Sequence, residues 1–213
     1  MKREVKVIVF FTSDLHFGHE NIADLCHRPY KSIFEMDEAL IENWNEKVNK
    51  NDVVYIVGDI VIDKRKLPEY IERLSGKKIL VVGNHDEAWC KREELKAYFE
   101  EVTPYLRTNL NSHPITLCHY PMLEWHASRE KNKRKLGYLV HGHIHNRVSS
   151  KYDGIYRQFN ALNAGVDVNG YAPVTFDELV ANNLAFKLTA LASDSDRMIL
   201  LDRYNECFGE GEG

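Results

Sequence analysis

Cysteine is scarce in this chain. Its four cysteines, Cys26, Cys90, Cys118 and Cys207, show no Cys-x-x-Cys spacing and no density that would frame disulfides. That excludes a disulfide-stapled scaffold and points to free thiols in a reducing compartment. An excess of one charge is lacking too. A net charge of −4 is not the footprint of a protein that coats nucleic acid, though it leaves room for an enzyme acting on nucleotides. No apolar run approaches membrane-spanning length, so no membrane partner is expected. Internal repeats and linkers are absent as well. The start Met1-Lys2-Arg3 resembles the charged start of a signal peptide, but Lys6 breaks the apolar run over 5–11. That run leads straight into Asp14 and reads as a strand delivering a motif, not as a cleaved leader. The expected location is the cytoplasm.

What is present is an ordinary globular composition, 44% hydrophobic and 28% charged over 213 residues. This suffices for one well-buried domain and is short for two. The expectation is a single domain over 1–204, with a frayed Gly- and Glu-rich tail over 205–213.

Five polar clusters punctuate the first 145 residues: Asp14-Leu15-His16, Gly58-Asp59, Gly83-Asn84-His85-Asp86, His119 and Gly142-His143-Ile144-His145. Each follows an apolar run that reads as a strand, at 5–11, 53–57, 78–82, 114–118 and 138–141. Helical patterns lie between them. A short turn of helix is expected at 21–26. Ser32 with Glu35 resembles a capping box, and Met36, Leu40, Trp44 and Val48 then recur every four residues as an amphipathic stripe. Further helices are expected at 68–74 and 87–101, the second turning Trp89, Leu95, Tyr98 and Phe99 inward. Residues 158–166 read as a strand, and Thr175 with Glu178 repeats the capping-box pattern ahead of a helix to 185. Strands alternating with helices indicate an α/β domain with a largely parallel core sheet. Ligands in such sheets sit at the carboxyl ends of the strands, where all five clusters lie, so one topology gathers them into one cleft.

The residue types then suggest the chemistry. Residues two apart on an extended segment point the same way, so Asp14 and His16 are expected to reach one ion together, and His143 and His145 to reach inward into one site. Glycines ahead of Asp59, Asn84 and His143 allow close approach at a crowded strand end. Asp59 can bridge two cations, and Asn84 adds a neutral oxygen that limits accumulated charge. Oxygen and imidazole donors without thiolate suit two divalent ions, Mn foremost, with Fe, Zn, Ni or Co as alternatives. Two ions about 3.5–4 Å apart lower the pKa of a bound water to near 7 and stabilise a pentacoordinate phosphorus. A histidine protonating the leaving alkoxide is worth about 10²–10⁴ in rate. His85 is the candidate, with Asp86 to orient it or tune its pKa.

In order and spacing the clusters resemble the calcineurin-like metallophosphoesterase superfamily, over residues 14–145. The resemblance implies a four-layer sandwich of two mixed β-sheets flanked by α-helices. It implies that Asp14, His16, Asp59 and His145 hold one metal and Asp59, Asn84, His119 and His143 the other. Asp59 would bridge, a hydroxide between the metals would attack phosphorus, and His85 would contact the phosphate or protonate the leaving group. The stretches at 13–22, 28–29, 119–122 and 165–171 are similar to a small bacterial and phage group of phosphoesterases, which narrows the family without naming a substrate.

Other residues carry weaker readings. His19 and Asn21 border the expected cleft as substrate contacts, against a helix-start cap at Asn21. Arg28 either grips a phosphate oxygen bidentately or is an ordinary surface arginine. His141 shares the face of His143 and reads as a core or supporting histidine. Lys131, Lys133, Arg134 and Lys135 form a basic run, first a solvated loop and second an attractor of polyanions. Trp125 beside it either stacks on a base or anchors the loop. His27, His113 and His126 read as surface or packing residues.

The leading expectation is a dinuclear-metal phosphoesterase for a phosphodiester or small nucleotide-type ester. A compact domain offers little surface for docking a phosphoprotein. A nuclease acting on DNA or RNA ends is the alternative, but such enzymes usually add a capping domain, for which 213 residues leave little room. A non-catalytic scaffold on the same fold would have lost its active-site histidine, and His85 is present. Oligomeric state is left open.

Overall fold

Short, continuous apolar runs, buried on both faces, build the strands of two sheets. The computed structural model describes residues 6–132 and 135–208, so Val5, Lys133, Arg134 and the last part of the expected tail lie outside the described residues. Strands β1 (Val9–Thr12), β2 (Val53–Ile56), β3 (Lys77–Val81) and β4 (Glu101–Thr103) pair in that order, all parallel. An isolated antiparallel bridge between Phe11 and Val174 flanks β1. Strands β5 (Leu106–Leu110), β6 (His113–Leu117), β7 (Tyr138–His141) and β8 (Ala161–Asn163) form the second sheet. It is mixed, with β5 antiparallel to β6 and the rest parallel.

Neighbouring residues of one strand enter different cores. Phe11 and Val81 join Leu117, Val140 and Leu162 between the sheets. Phe10, Val54, Ile56 and Leu80 face the outer core of the first sheet, and Leu139 and Ala161 face that of the second. Helix α1 (Ile22–Cys26) follows the first cluster. Helix α2 (Ile33–Lys47) covers the outer core with the expected stripe, Met36, Leu40 and Trp44, and Val48 just beyond its end joins them. The Ser32 hydroxyl accepts the Glu35 N–H at 3.1 Å, while the Glu35 carboxylate takes the Lys31 N–H, one residue off the expected box. At Thr175 the box is complete, and the helix it opens, residues Phe176–Ala190, runs past 185.

Elsewhere tertiary pairing overrides local pattern. The expected helix at 87–101 is a set of turns around one short helix, Glu93–Lys96, because Glu101 is drawn into β4 against Ile79. Trp89, Leu95 and Phe99 are nevertheless buried. The helix expected at 68–74 spans Leu67–Ile71, behind a 3₁₀ turn capped by Asp63. The strand expected at 158–166 shrinks to β8, since the Gln158 N–H closes the short helix Asp153–Tyr156 by bonding the Ile155 carbonyl at 3.0 Å. Numbering in chain order, Leu67–Ile71 is α3, Glu93–Lys96 α4, Asp153–Tyr156 α5 and Phe176–Ala190 α6. An unforeseen α7 (Asp194–Phe208) packs on α6 and makes residues 205–208 helical where fraying was expected. No helix among the described residues is long and apolar enough to cross a membrane.

Candidate metal centre

Every cluster hangs from the carboxyl end of a strand. Asp14 follows β1, Asp59 follows β2, Asn84 follows β3, His119 follows β6, and His143 follows β7. Backbone bonds from Asp14 N–H to the Gly58 carbonyl (3.0 Å) and from His16 N–H to the Asp59 carbonyl (3.1 Å) lock the first two loops together. The reason expected for pairing Asp14 with His16 does not hold, because neither lies on extended backbone. Asp14, His16, Asp59, His143 and His145 all adopt left-handed φ, between 51° and 72°. Such conformations cost non-glycine residues about 1–3 kcal/mol each and persist only where the surroundings enforce them. The glycines serve close approach, as expected. A methyl on Gly58 would overlap His119 Nδ1 and the Gly83 backbone, and one on Gly142 would overlap Ser13 and Asp14.

The side chains form two groups that share Asp59. Asp59 Oδ2 lies 3.7 Å from His16 Nε2 and 3.4 Å from His119 Nε2. Asp14 Oδ1 lies 4.0 Å from His16 Nε2 and 3.9 Å from His145 Nε2. On the other side Asn84 Oδ1 lies 3.1 Å from His119 Nε2 and 3.0 Å from His143 Nδ1. All seven residues singled out in the sequence as metal ligands therefore converge on one centre. They fit a pair of divalent cations: oxygens and imidazoles, no sulfur among the seven, and two carboxylates to balance charge. Both ring nitrogens of His16 are buried without a hydrogen-bond partner among the described residues. Leaving such atoms unpaired costs about 1–3 kcal/mol apiece, and coordination through Nε2, the nitrogen facing Asp14 and Asp59, would remove one of the two costs.

The electrostatics agree. Burial pushes the Asp59 carboxyl up, but the hydrogen bond and charge of His119 outweigh it and hold the group at about 2. Burial pushes His119 down, and Asp59 with Asp14 reverses this, raising it to about 9. Without a cation, the carboxylates draw a proton onto the histidine. Burial raises Asp14 and depresses His16 well below its usual range.

His85 sits over the shared carboxylate. Its N–H donates to Asp59 Oδ1 at 2.9 Å, its Nε2 is 3.9 Å from Asp59 Oδ2, and its ring stands edge-on to His16 at 5.1 Å. Its side chain is 43% exposed, so one face is open to an incoming ligand. Asp86 does not do what the sequence suggested. Its buried carboxylate accepts the N–H groups of Asp59 (2.7 Å), Gly83 (2.9 Å) and Ile60 (3.2 Å), tying two loops together and making no bond to the His85 ring. Burial pushes it up to about 7.

His19 lies beside the centre, its ring 5.4 Å from that of His16. Asn21 is exposed at the start of α1 and makes no side-chain cap bond. Arg28 is neither a surface residue nor a ligand grip. It is buried, bonded to Asp167 through Nε (2.8 Å) and Nη2 (3.1 Å), and to the carbonyls of Leu15 (2.9 Å) and Asp14 (2.8 Å). Asp167 was missed as a site residue. Its Oδ2 accepts from His145 Nδ1 at 2.8 Å, the carboxylate–histidine arrangement common behind metal-bound imidazoles. Its signal was its place in the stretch at 165–171. His141 is buried outside both groups, with Nδ1 against the Gly142 carbonyl, and burial pushes it down to about 3. Trp125 anchors its loop, its Nε1–H donating to the Gly137 carbonyl at 2.9 Å. Lys131 and Lys135 are exposed, as are His27 and His126, and His113 packs on Tyr138.

Comparisons with known proteins point the same way. The profile of the calcineurin-like phosphoesterase superfamily domain matches residues 8–169. The chain is 30% identical over 175 residues to an uncharacterised protein of Methanocaldococcus jannaschii, covering 81% of this chain and 89% of that one. It is 30% identical over 161 residues to the gene 66 protein of Mycobacterium phage D29, covering 66% and 79%. Among solved structures it resembles a protein of unknown function from Aquifex aeolicus, at 29% identity and a TM-score of 0.64, over 81% of this chain and 97% of the other.

Proposed function

The chain belongs to the calcineurin-like phosphoesterase superfamily, as a metal-dependent hydrolase of phosphate esters, and on that premise we propose that it cleaves a phosphodiester or small nucleotide-type substrate, with His85 as general acid. The observation that carries this reading is the placement of His85. It is bonded through its backbone to the shared carboxylate of Asp59, while its imidazole stays open to solvent and makes no hydrogen bond among the described residues.

Asp14, His16, Asp59 and His145 would hold one ion and Asp59, Asn84, His119 and His143 the other, with manganese the favoured metal on donor chemistry. Two divalent ions supply Lewis acidity toward the phosphoryl oxygens and acidify a water to near neutral pH. The residues of the chain do the rest. Asp86 fixes the loops that present Asp59 and His85, and the His85 imidazole delivers a proton to the leaving oxygen. Support for a nucleotide-type ester comes from Tyr120, 43% exposed, whose ring meets that of His143 edge-on at 4.8 Å and offers a base a face on which to stack.

The test is hydrolysis of p-nitrophenyl phosphate and bis-p-nitrophenyl phosphate by metal-stripped protein restored separately with Mn²⁺, Ni²⁺, Zn²⁺ and Mg²⁺. Preference for the diester, abolished in His85→Ala, is the expected result. Preference for the monoester redirects the substrate to phosphomonoesters, and no turnover with any metal overturns the reading.

A further inference from the structure

Arg28 and Asp167 stand 139 positions apart and meet as an ion pair whose two side chains are 0% exposed. A buried pair of this kind contributes little net stability over apolar residues of the same size, so stability is a poor account of it. Its bonds indicate another role. One guanidinium holds the carbonyls of Asp14 and Leu15, the backbone of the first cluster, where Asp14 is left-handed at φ 56°. The same guanidinium grips both oxygens of Asp167, and Asp167 Oδ2 takes the Nδ1–H of His145, itself left-handed at φ 51°. With Nδ1 committed to Asp167, Nε2 is the His145 nitrogen left for an ion, and it faces Asp14 at 3.9 Å. The other group is backed differently, by a backbone carbonyl and by no carboxylate on His119 or His143 among the described residues. His143 Nδ1 and His119 Nε2 both face Asn84, and the second ring nitrogen of His119 meets the Val57 carbonyl at 2.8 Å.

Resting on the two-metal reading above, we propose that Arg28 and Asp167 are positioning residues for the ion held by Asp14, His16, Asp59 and His145, and that they leave the site of Asn84, His119 and His143 untouched. Asp167→Asn conserves volume, yet either orientation of its amide sets an N–H against a donor: Arg28 Nε in one, Arg28 Nη2 and His145 Nδ1 in the other. The His145 ring then loses its fixed proton or its fixed angle. Arg28→Lys keeps the charge and loses the fork that spans two carbonyls and a carboxylate.

The experiment is a Co²⁺ titration of metal-stripped protein followed by visible absorption, with Lys187→Met as a control buried elsewhere, where Nζ holds the Gln158 carbonyl. Wild type is expected to take two equivalents. Asp167→Asn should weaken one equivalent by about 10–100-fold and spare the other. Arg28→Lys should do the same, which keeps the proposal testable if Asp167→Asn fails to fold. Lys187→Met should bind as wild type. Two undisturbed equivalents in both Asp167→Asn and Arg28→Lys would overturn the proposal. Equal weakening of both sites, matched by Lys187→Met, would reduce the pair to general structural support and overturn it as well. A wild type that takes up no second Co²⁺ would overturn the two-metal reading, and this inference with it.

Discussion

The two ends of the second sheet obey different rules. Before β7 and β8, where the strands start, the named polar groups are paired. Trp125 Nε1 and Asn160 Nδ2 both donate to the Gly137 carbonyl, Asn160 also holds the Ser128 carbonyl, and the buried Lys187 Nζ donates to the carbonyls of Gln158 (2.7 Å) and Ala161. After β6 and β7, where the strands end, His119, His143 and His145 crowd against Asp14, Asp59 and His16. The backbone there is left-handed, and the His16 nitrogens have no partner. The first end pairs the groups named here. The other gathers buried, unpaired imidazole nitrogens and left-handed backbone around facing carboxylates, the arrangement a cation would satisfy. Violations of local rule concentrate at functional sites because the surrounding fold can sustain them.

The sharpest way to break this contrast is at the shared carboxylate. Asp59→Asn should drop bis-p-nitrophenyl phosphate hydrolysis to background. Circular dichroism of the metal-free variant should still report the wild-type fold, since the change relieves charge crowding without altering volume. Next comes His85→Ala, expected to lower kcat about 10²–10⁴-fold. Its stability in urea should stay within about 0.5 kcal/mol of wild type, because the side chain is partly exposed. Retained turnover in that variant would remove His85 from its role.

The paired end makes a pH prediction. Burial lowers the Lys187 ammonium to about 7 from its usual 10.5. Between those values the unfolded chain holds a proton that the folded chain does not, so stability rises with pH across that window, and below about 7 the full cost of burying the charge is present. Urea unfolding at pH 7 and pH 9 should show a gain on the order of 1–3 kcal/mol in wild type, and little of it in Lys187→Met. A flat wild-type profile would mean the two carbonyls compensate the ammonium fully. The smallest effect is expected at Tyr120→Ala. It should raise KM for a nucleotide-type substrate about fivefold, at the low end of stacking energies, and leave bis-p-nitrophenyl phosphate unaffected.

Much of the centre is legible in the sequence because the candidate ligands follow short apolar runs, and strand ends in such sheets open toward a common cleft. The stripe of α2 and the box at Thr175 are equally local. What escaped reading has a physical reason in each case. Helix α7 exposes Met198 and Ile199 and fully buries Leu200, so it carries no clear amphipathic stripe. Strand β5 is fixed by its pairing with β6 through Asn111 and Ser112, both at positive φ, without the glycine that marks such turns. Asp86, adjacent to His85 in the chain, turns to the backbone of Asp59, because buried N–H groups must find acceptors.

The sequence by itself determined the identity and order of the seven candidate ligand residues, the short apolar runs that become the strands before them, and the class of chemistry that oxygen and imidazole donors can perform. These are properties of residue type and short-range pattern. Only the tertiary structure decided that Arg28 faces Asp167 and not a substrate, that Asp167 backs His145, and that Asp14 and His16 meet through left-handed turns. Those are relations between segments far apart in the chain, and they come into being only when folding brings the strand ends together.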